Sequence, residues 1–116
     1  MDWALGANAW GTTFVVGVGQ TFPHCPQDQI ANLSGSLDGT PPVHAGGVTD
    51  GPAVRGTFSG LGVPDGARAC HVSGFATFDG HGVRYLDDVQ SWPSVEPADD
   101  YTATALLAFA LSCATP

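Results

Sequence analysis

The last third of the chain decides the fold, and it opens with an acidic stretch that reads Tyr85-Leu86-Asp87-Asp88-Val89-Gln90-Ser91-Trp92-Pro93-Ser94-Val95-Glu96-Pro97-Ala98-Asp99-Asp100-Tyr101-Thr102-Ala103. An apolar run follows directly and reads Thr104-Ala105-Leu106-Leu107-Ala108-Phe109-Ala110-Leu111. No charged residue follows Tyr101. The pattern indicates a loop that carries carboxylates and leads into an apolar helix.

The same stretch contains signals for the start of this helix. Ser94 is a candidate N-cap, and Pro97 falls in the first turn, where its missing N–H costs nothing. Negative charge favours the positive end of a helix dipole, and here it comes from Glu96, Asp99 and Asp100. A helix over residues 95–111 would span about 25 Å, and a helix that is apolar on every side is typical of a protein core. Its apolar run is too short to cross a bilayer, so we expect no membrane partner.

Composition limits the classes of function. The 116 residues suffice for one domain, and 16 glycines and 9 prolines predict that much of the chain is loop. The net charge is −8, with 3 basic residues against 11 acidic ones. This balance argues against nucleic acid and anionic membranes as partners and favours a neutral or cationic ligand.

The first part of the chain gives weaker signals. Residues 2–6 look like the last turn of an amphipathic helix, residues 12–19 are β-branched and extended, and residues 27–33 allow one helical turn. Much of residues 21–51 and 60–82 is rich in turn residues. Loops of this length are more typical of binding loops on a larger protein than of a small autonomous domain.

Two cysteines lie beside histidines, as His24-Cys25 and Cys70-His71, and could be read as a zinc site. Adjacent residues rarely aim both side chains at one ion, so the spacing is poor for zinc, and we expect neither a metal nor a cofactor. A structural thiol pair or a disulfide is the alternative, and it would leave Cys113 unpaired. Spacing alone does not decide between a thiol pair and a disulfide.

Two stretches, in the same order, carry motifs of a known family. The first reads Asp2-Trp3-Ala4-Leu5-Gly6-Ala7-Asn8-Ala9-Trp10-Gly11, then Thr13-Phe14-Val15-Val16-Gly17-Val18-Gly19, then Phe22-Pro23-His24-Cys25-Pro26. The second has Tyr85-x-Asp87 followed by Trp92, Glu96, Ala98 and Ala103. These stretches resemble the two C-terminal signature regions of glycoside hydrolase family 9, the inverting cellulases built on an (α/α)6 barrel.

The resemblance implies a fold and a context. The fold would be all-α, with residues 1–116 forming an incomplete C-terminal part of the catalytic domain, and it would combine long irregular loops with one long buried terminal helix. The family's base lies in an Asp-Ala-Gly-Asp segment that this sequence lacks. The partner would therefore be an upstream barrel segment of the parent enzyme, and we expect the chain alone neither to hydrolyse glucan nor to fold as a well-packed monomer.

The resemblance also implies roles for individual residues. Glu96 matches the general acid that protonates the leaving oxygen, and Asp87 matches the second acidic residue, which supports the site. His24, Trp92 and Tyr85 are the candidate residues that contact the sugar. A helix N-terminus would lower the pKa of Glu96, so burial and nearby carboxylates would have to raise it. The expected substrate is a β-1,4-glucan in cellulose or a related polysaccharide.

Besides the missing base segment, which is the most serious departure from the family's pattern, two others bear on different parts of the site. Thr102 occupies a position where Asn is usual, which changes a hydrogen bond behind the acid. Residues 26–29 lack the histidine and arginine that usually contact sugar, so His24 is only a nearby substitute. The parent enzyme would be secreted, although the opening Met1-Asp2-Trp3 has no features of a signal peptide.

A reading from a different functional class is a stand-alone carbohydrate-binding or structural domain, rich in loops and strands. In that reading the carboxylates of the acidic stretch serve helix capping or bind calcium. A domain dominated by strands, without a helix over residues 95–111, would favour it.

Overall fold

The computed structural model of the protein describes residues 1–28, residue 31 and residues 44–114. The described strands are β1 (Ala53–Val54), β2 (His71–Val72), β3 (Val83–Arg84) and β4 (Asp87–Asp88). The described α-helices are α1 (Trp92–Val95) and α2 (Asp99–Ala114), and two 3-10 helices span Arg55–Phe58 and Phe75–Phe78. The helical turn predicted over residues 27–33 falls largely outside the described residues.

The strands pair into two antiparallel ribbons, β1 with β3 and β2 with β4. The facing pairs are Ala53 with Arg84, Val54 with Val83, His71 with Asp88, and Val72 with Asp87. Pro52 directly precedes β1 and Gly82 directly precedes β3. Because neither residue type extends a ladder well, β1 and β3 do not continue toward the N-terminus, and each is two residues long.

The expectation of an all-α fold, as a fragment of an (α/α)6 barrel, is wrong for the described residues. They contain two α-helices and two antiparallel two-stranded sheets, so the fold is mixed α/β, and these helices do not form a barrel. Both helices lie within residues 92–114. Residues 44–91 are rich in glycine and proline, which break helices, and this region forms ribbons and turns instead.

The helix predicted over residues 95–111 begins later than expected, as α2. Proline disfavours a helical backbone at the residue before it, and Glu96, which precedes Pro97, is extended with φ −73° and ψ 119°. The chain therefore breaks between α1 and α2. Two of the three acidic residues expected in the first helical turn, Asp99 and Asp100, are in the first turn of α2.

The prediction that this helix is buried is also wrong. None of the described residues of α2 is buried. The large apolar side chains Leu106, Leu107 and Leu111 are 69%, 61% and 62% exposed. One side of α2 borders a groove of about 300 Å³ that Val15 and Val48 also line. No helix among the described residues is long and apolar enough to span a membrane.

The N-terminal segment consists of turns and isolated pairings. The Ala4 N–H donates to the Met1 carbonyl at 3.0 Å, which closes a single turn where the end of a helix was expected. The stretch predicted as extended pairs one residue at a time, through the bridges Leu5 with Thr13 and Val15 with Val48. Gly17 has a φ of 77°, which only glycine adopts without strain, and the chain turns there.

The hydrophobic core is small and mostly aromatic. Its central cluster is Phe14, Phe75, Tyr85 and Val95, with Trp10 packed against it, and other described apolar residues such as Val16 and Val89 are also buried. The ring centre of Tyr85 lies 5.6 Å from that of Phe14 and 5.0 Å from that of Phe75. These separations are typical of favourable aromatic pairs. The core therefore joins the N-terminal segment, the second 3-10 helix and α1.

Ser94, expected as an N-cap, lies inside α1 and is fully buried. Its Oγ donates to the Leu86 carbonyl at 2.6 Å, accepts the Leu86 N–H at 3.3 Å and lies 2.7 Å from the Ser91 Oγ. Its carbonyl accepts the Gly51 N–H at 3.0 Å. One serine therefore connects α1, the segment before β4 and the segment before β1.

We predict that Ser94→Ala destabilises the protein by about 1–3 kcal/mol, since it leaves buried polar groups of Leu86 and Ser91 without a partner. The measurement is urea unfolding. Ser59→Ala is the matched control, because the Ser59 hydroxyl is exposed and makes a local bond to the Gly56 carbonyl at 3.2 Å. It should change the free energy of unfolding by no more than about 0.5 kcal/mol. Equal losses in both variants would contradict the role of Ser94.

Candidate active site

Glu96 occupies a segment that backbone contacts hold on both sides. The carbonyl of Val95 accepts the Gln27 N–H at 2.9 Å, and Pro97 forms an antiparallel bridge with Thr49. The Glu96 side chain itself is exposed. The fold therefore fixes the backbone of this carboxylate and leaves its side chain open to solvent.

The pKa of Glu96 is raised, first by partial burial and second by the charge of Asp50. The sequence predicted burial and the carboxylates Asp87, Asp99 and Asp100 as causes of such a rise. Partial burial is indeed the first cause, whereas the carboxylate that adds to the rise is Asp50 and none of those three. A carboxyl group whose pKa is raised keeps its proton to higher pH, which suits a proton donor.

Asp50 is a member of the site that the sequence reading missed. It shares a cleft of about 360 Å³ with Asp100 and Tyr101 of α2. Burial and the charge of Asp100 raise the pKa of Asp50, and a side-chain interaction with the Tyr101 hydroxyl opposes the rise. In the sequence Asp50 is one more turn residue, in Thr-Asp-Gly-Pro, and no local pattern links it to a glutamate 46 positions later.

Thr102 holds the segment that carries Asp50 against the start of α2. Its hydroxyl donates to the Ala98 carbonyl at 2.9 Å and accepts the Val48 N–H at 3.0 Å. The position that departs from the family's usual Asn thus makes a defined contact behind the Glu96 segment.

Asp87 is fully buried, unlike Glu96. Its two carboxylate oxygens accept the backbone N–H groups of His24 at 2.9 Å and of Cys25 at 2.8 Å. Burial raises its pKa, while these two hydrogen bonds and the charges of His24 and His71 oppose the rise. These two hydrogen bonds anchor the loop at residues 24–25 to β4. The Asp87 carboxylate has no access to solvent.

Cys25 and Cys70 form a disulfide, which decides the alternatives that spacing left open. Among the described residues there is no group of three or more side chains that could hold a metal ion. His71 pairs instead with Asp88, at 3.0 Å between Nδ1 and Oδ2. The third cysteine, Cys113, is an exposed free thiol on α2.

The three residues expected to contact sugar lie in different environments. Trp92, at the start of α1 and four positions before Glu96, is 49% exposed. The His24 ring is half-buried and stacks on Phe22 with 4.4 Å between ring centres. Tyr85 is 1% exposed and belongs to the aromatic core.

The Tyr85 hydroxyl is the one buried side-chain polar atom without a hydrogen-bond partner in the described part of the chain. Burial raises the pKa of this group well above its ordinary value, and the charge of Asp87 adds to the rise. The neighbouring Thr12 hydroxyl lowers it, although Thr12 donates its own hydrogen bond to the Thr13 carbonyl at 3.2 Å. The phenol is therefore kept neutral inside the core.

The predicted residues thus form an exposed group and a buried group. Glu96 and Trp92 are exposed on adjoining segments, together with Asp50 and Tyr101, which the sequence reading did not select. Asp87 and Tyr85 lie beneath them in the interior. The exposed group can donate a proton and offer an aromatic face, whereas the buried group holds loops in place.

Comparison with known proteins adds a family to this geometry. Searches among curated proteins and among solved structures gave no significant match. The family model described as glycosyl hydrolase family 9 matches residues 1–109, which is nearly the whole chain. The two motifs quoted from the sequence, with Asp87, Trp92 and Glu96, lie inside the matched residues. The chain belongs to glycosyl hydrolase family 9.

Proposed function

We propose that the chain takes part in the hydrolysis of β-1,4-glucosidic bonds in cellulose or a related β-glucan, with Glu96 as the general acid. Membership of family 9 makes it part of a glycoside hydrolase, whose substrate is a carbohydrate. The observation that carries the proposal is Glu96 itself, an exposed carboxyl group on a fixed backbone with a raised pKa. The roles proposed for Trp92, His24 and Asp87 rest on their own exposure and contacts.

The proposed mechanism is inverting. The carboxyl group of Glu96 gives its proton to the glycosidic oxygen as the bond to the anomeric carbon breaks. A second carboxylate removes a proton from the attacking water on the opposite face of the sugar, and the two carboxyl groups lie about 6.5–9.5 Å apart. We propose that this base belongs to another segment of a larger catalytic domain, since the sequence contains no match to the family's base-bearing motif.

Aromatic and imidazole side chains are the proposed contacts for the sugar. The ring of Trp92, four positions before Glu96 in the chain, is half exposed, so a pyranose can lay its C–H face on it. His24 is half-buried at the loop that Asp87 anchors, and its ring nitrogens can exchange hydrogen bonds with sugar hydroxyl groups. We propose that Asp87 is a positioning residue, because it acts on this loop through two backbone N–H groups.

We further propose that the parent enzyme is secreted. The Cys25–Cys70 disulfide supports this localisation, because disulfides persist in oxidising compartments outside the cytosol. Polymeric β-glucans are themselves too large to enter a cell, so an enzyme that acts on them works outside it.

The alternative of a stand-alone carbohydrate-binding or structural domain has less support. It predicted a strand-dominated chain, whereas the described strands are two residues long and α2 has 16 residues. The family match to residues 1–109 also favours the hydrolase.

We predict that Glu96→Gln lowers the rate of glucan hydrolysis by about 100- to 10,000-fold, since the amide keeps the shape of the side chain but has no proton to give. The assay uses an enzyme in which this chain is joined to a segment that supplies the base. Asp99→Asn removes one charge from the nearby start of α2 and should leave the rate almost unchanged. Hydrolysis by Glu96→Gln at the parental rate would exclude Glu96 as the acid. A β-configured first product would exclude inversion.

We predict that Trp92→Ala raises KM or lowers kcat/KM, with a change in the free energy of unfolding of no more than about 0.5 kcal/mol, because the ring is half exposed. Trp10→Ala is the contrasting variant. Trp10 packs on the core and its Nε1 donates to Asp79 at 3.1 Å, so its loss should cost about 3–5 kcal/mol. Trp92→Ala with normal kinetics and a large loss of stability would reassign Trp92 to a structural role.

We predict that Asp87→Asn destabilises the protein by about 1–3 kcal/mol, measured by urea unfolding. The amide has one acceptor oxygen, so it can satisfy only one of the two N–H groups of His24 and Cys25 and turns its NH2 group toward the other. Asp99→Asn again serves as the charge-matched control and should be close to neutral. A folded Asp87→Asn protein with full stability and no activity would instead indicate that Asp87 touches the reacting atoms.

A further inference from the structure

We propose that Asp50 is a positioning residue for the general acid: its carboxylate faces Glu96 across an antiparallel pairing, so that the two carboxyl groups repel each other when both are charged. This inference rests on the proposed function of Glu96 in so far as it concerns catalysis. The contact between the two carboxyl groups can be tested without any substrate.

The register of the backbone supports the contact between Asp50 and Glu96. Thr49 and Pro97 form an antiparallel bridge, so the next facing pair is Asp50 with Glu96. Residues that face each other directly in such a pairing have Cβ atoms about 5 Å apart and point to the same side. The neighbouring facing pair agrees with this register, because the Ala98 N–H donates to the Val48 carbonyl at 3.4 Å.

The direction of the side chains agrees with the register. Thr49 is buried, and its hydroxyl donates to the Phe14 carbonyl at 3.3 Å, so its side chain points inward. Successive side chains of an extended segment alternate between two sides. Asp50 therefore points outward, and both Asp50 and Glu96 are exposed.

The charges around the pair favour a proton on Glu96. The titratable groups that act on the two carboxyl groups come from both neighbouring segments: Asp50 on one side, and Asp100 and Tyr101 at the start of α2. The Tyr101 hydroxyl lowers the pKa of Asp50, which stabilises the Asp50 carboxylate. Asp50 in turn raises the pKa of Glu96, and no corresponding stabilisation by Tyr101 acts on Glu96. The pKa values of both carboxyl groups are raised, and of the two only Asp50 has a hydroxyl partner that opposes the rise.

This arrangement has a consequence for catalysis. When Glu96 gives its proton to the leaving oxygen, two carboxylates face each other, and their repulsion favours the return of a proton from solvent to Glu96. Asp50 transfers no proton itself. The acid therefore stays protonated to higher pH than an isolated glutamate would, and the active range of the enzyme extends upward in pH.

The chain allows an unusually clean experiment, because Glu96 is its one glutamate. Selective ¹³C labelling of the glutamate carboxyl group gives one NMR signal, whose titration midpoint can be followed in the full chain. We expect Asp50→Asn to shift this midpoint to lower pH. Asp99→Asn removes one charge from the start of α2 and should leave the midpoint where it is in the parent.

Tyr101→Phe provides a second variant in case Asp50→Asn does not fold. Removal of the hydroxyl makes Asp50 less acidic, so Asp50 is charged over less of the titration, and the Glu96 midpoint should shift down by a smaller amount. An unchanged midpoint in a folded Asp50→Asn protein would overturn the proposal. An equal shift in Asp99→Asn would also overturn it, because the effect would then be that of net charge.

The kinetic readout separates this inference from the proposed function. In an enzyme that contains the chain and hydrolyses glucan, Asp50→Asn should move the alkaline limb of the kcat/KM profile to lower pH. If Glu96→Gln remains active, the proposed function fails, whereas the NMR shift in Asp50→Asn can still stand. If Glu96→Gln is inactive and Asp50→Asn leaves the NMR midpoint of Glu96 unchanged, only the proposed role of Asp50 fails.

Discussion

The structure depends on the backbone contacts of residues 94–97. Their polar groups reach two other segments: Ser94 accepts the Gly51 N–H and Pro97 forms the bridge with Thr49 in one, and Val95 accepts the Gln27 N–H in the other. Pro97 is the reason that this backbone is available, because it forces the preceding residue out of the helical conformation. A continuous helix here would have used the same carbonyl groups in its own turns. The break between α1 and α2 therefore creates both the junction of the fold and the position of Glu96.

Polar contacts contribute much of the organisation of this chain, because its apolar core is small. The central apolar cluster has four described residues, whereas buried polar side chains such as Thr49, Asp87 and Ser94 each bond to the backbone of another segment. A buried hydrogen bond adds only about 0.5–1.5 kcal/mol, but an unmet buried group costs more, so such contacts specify one arrangement of the loops. The Cys25–Cys70 disulfide links two residues that are 45 positions apart, and it reduces the conformational freedom of the unfolded chain.

The sequence predicted the local features of the site better than its three-dimensional surroundings. The spacing of a family motif selected Glu96 and Asp87, whose roles stay predictions, and helix-start electrostatics correctly predicted the acidic first turn of α2. The exposure of α2 could not be predicted from its composition. An apolar sequence shows that a helix favours burial but not whether another segment covers it. Asp50 was missed for a related reason. Its proximity to Glu96 comes from one bridge between Thr49 and Pro97, and an isolated bridge has no periodicity for a pattern to reveal.

The carboxyl groups of Asp87 and Glu96 illustrate why a raised pKa does not identify a catalytic residue by itself. Burial is the first cause of the rise in both. Asp87 is enclosed, and two N–H groups take up both of its oxygens, so its pKa is a consequence of its structural role. Glu96 is exposed, and its second influence is a like charge, which disfavours the carboxylate without occupying the oxygens. Proton transfer requires an oxygen that can reach the substrate. Access to solvent, and not the size or direction of a pKa shift, therefore distinguishes Glu96, the proposed acid, from Asp87, which anchors a loop.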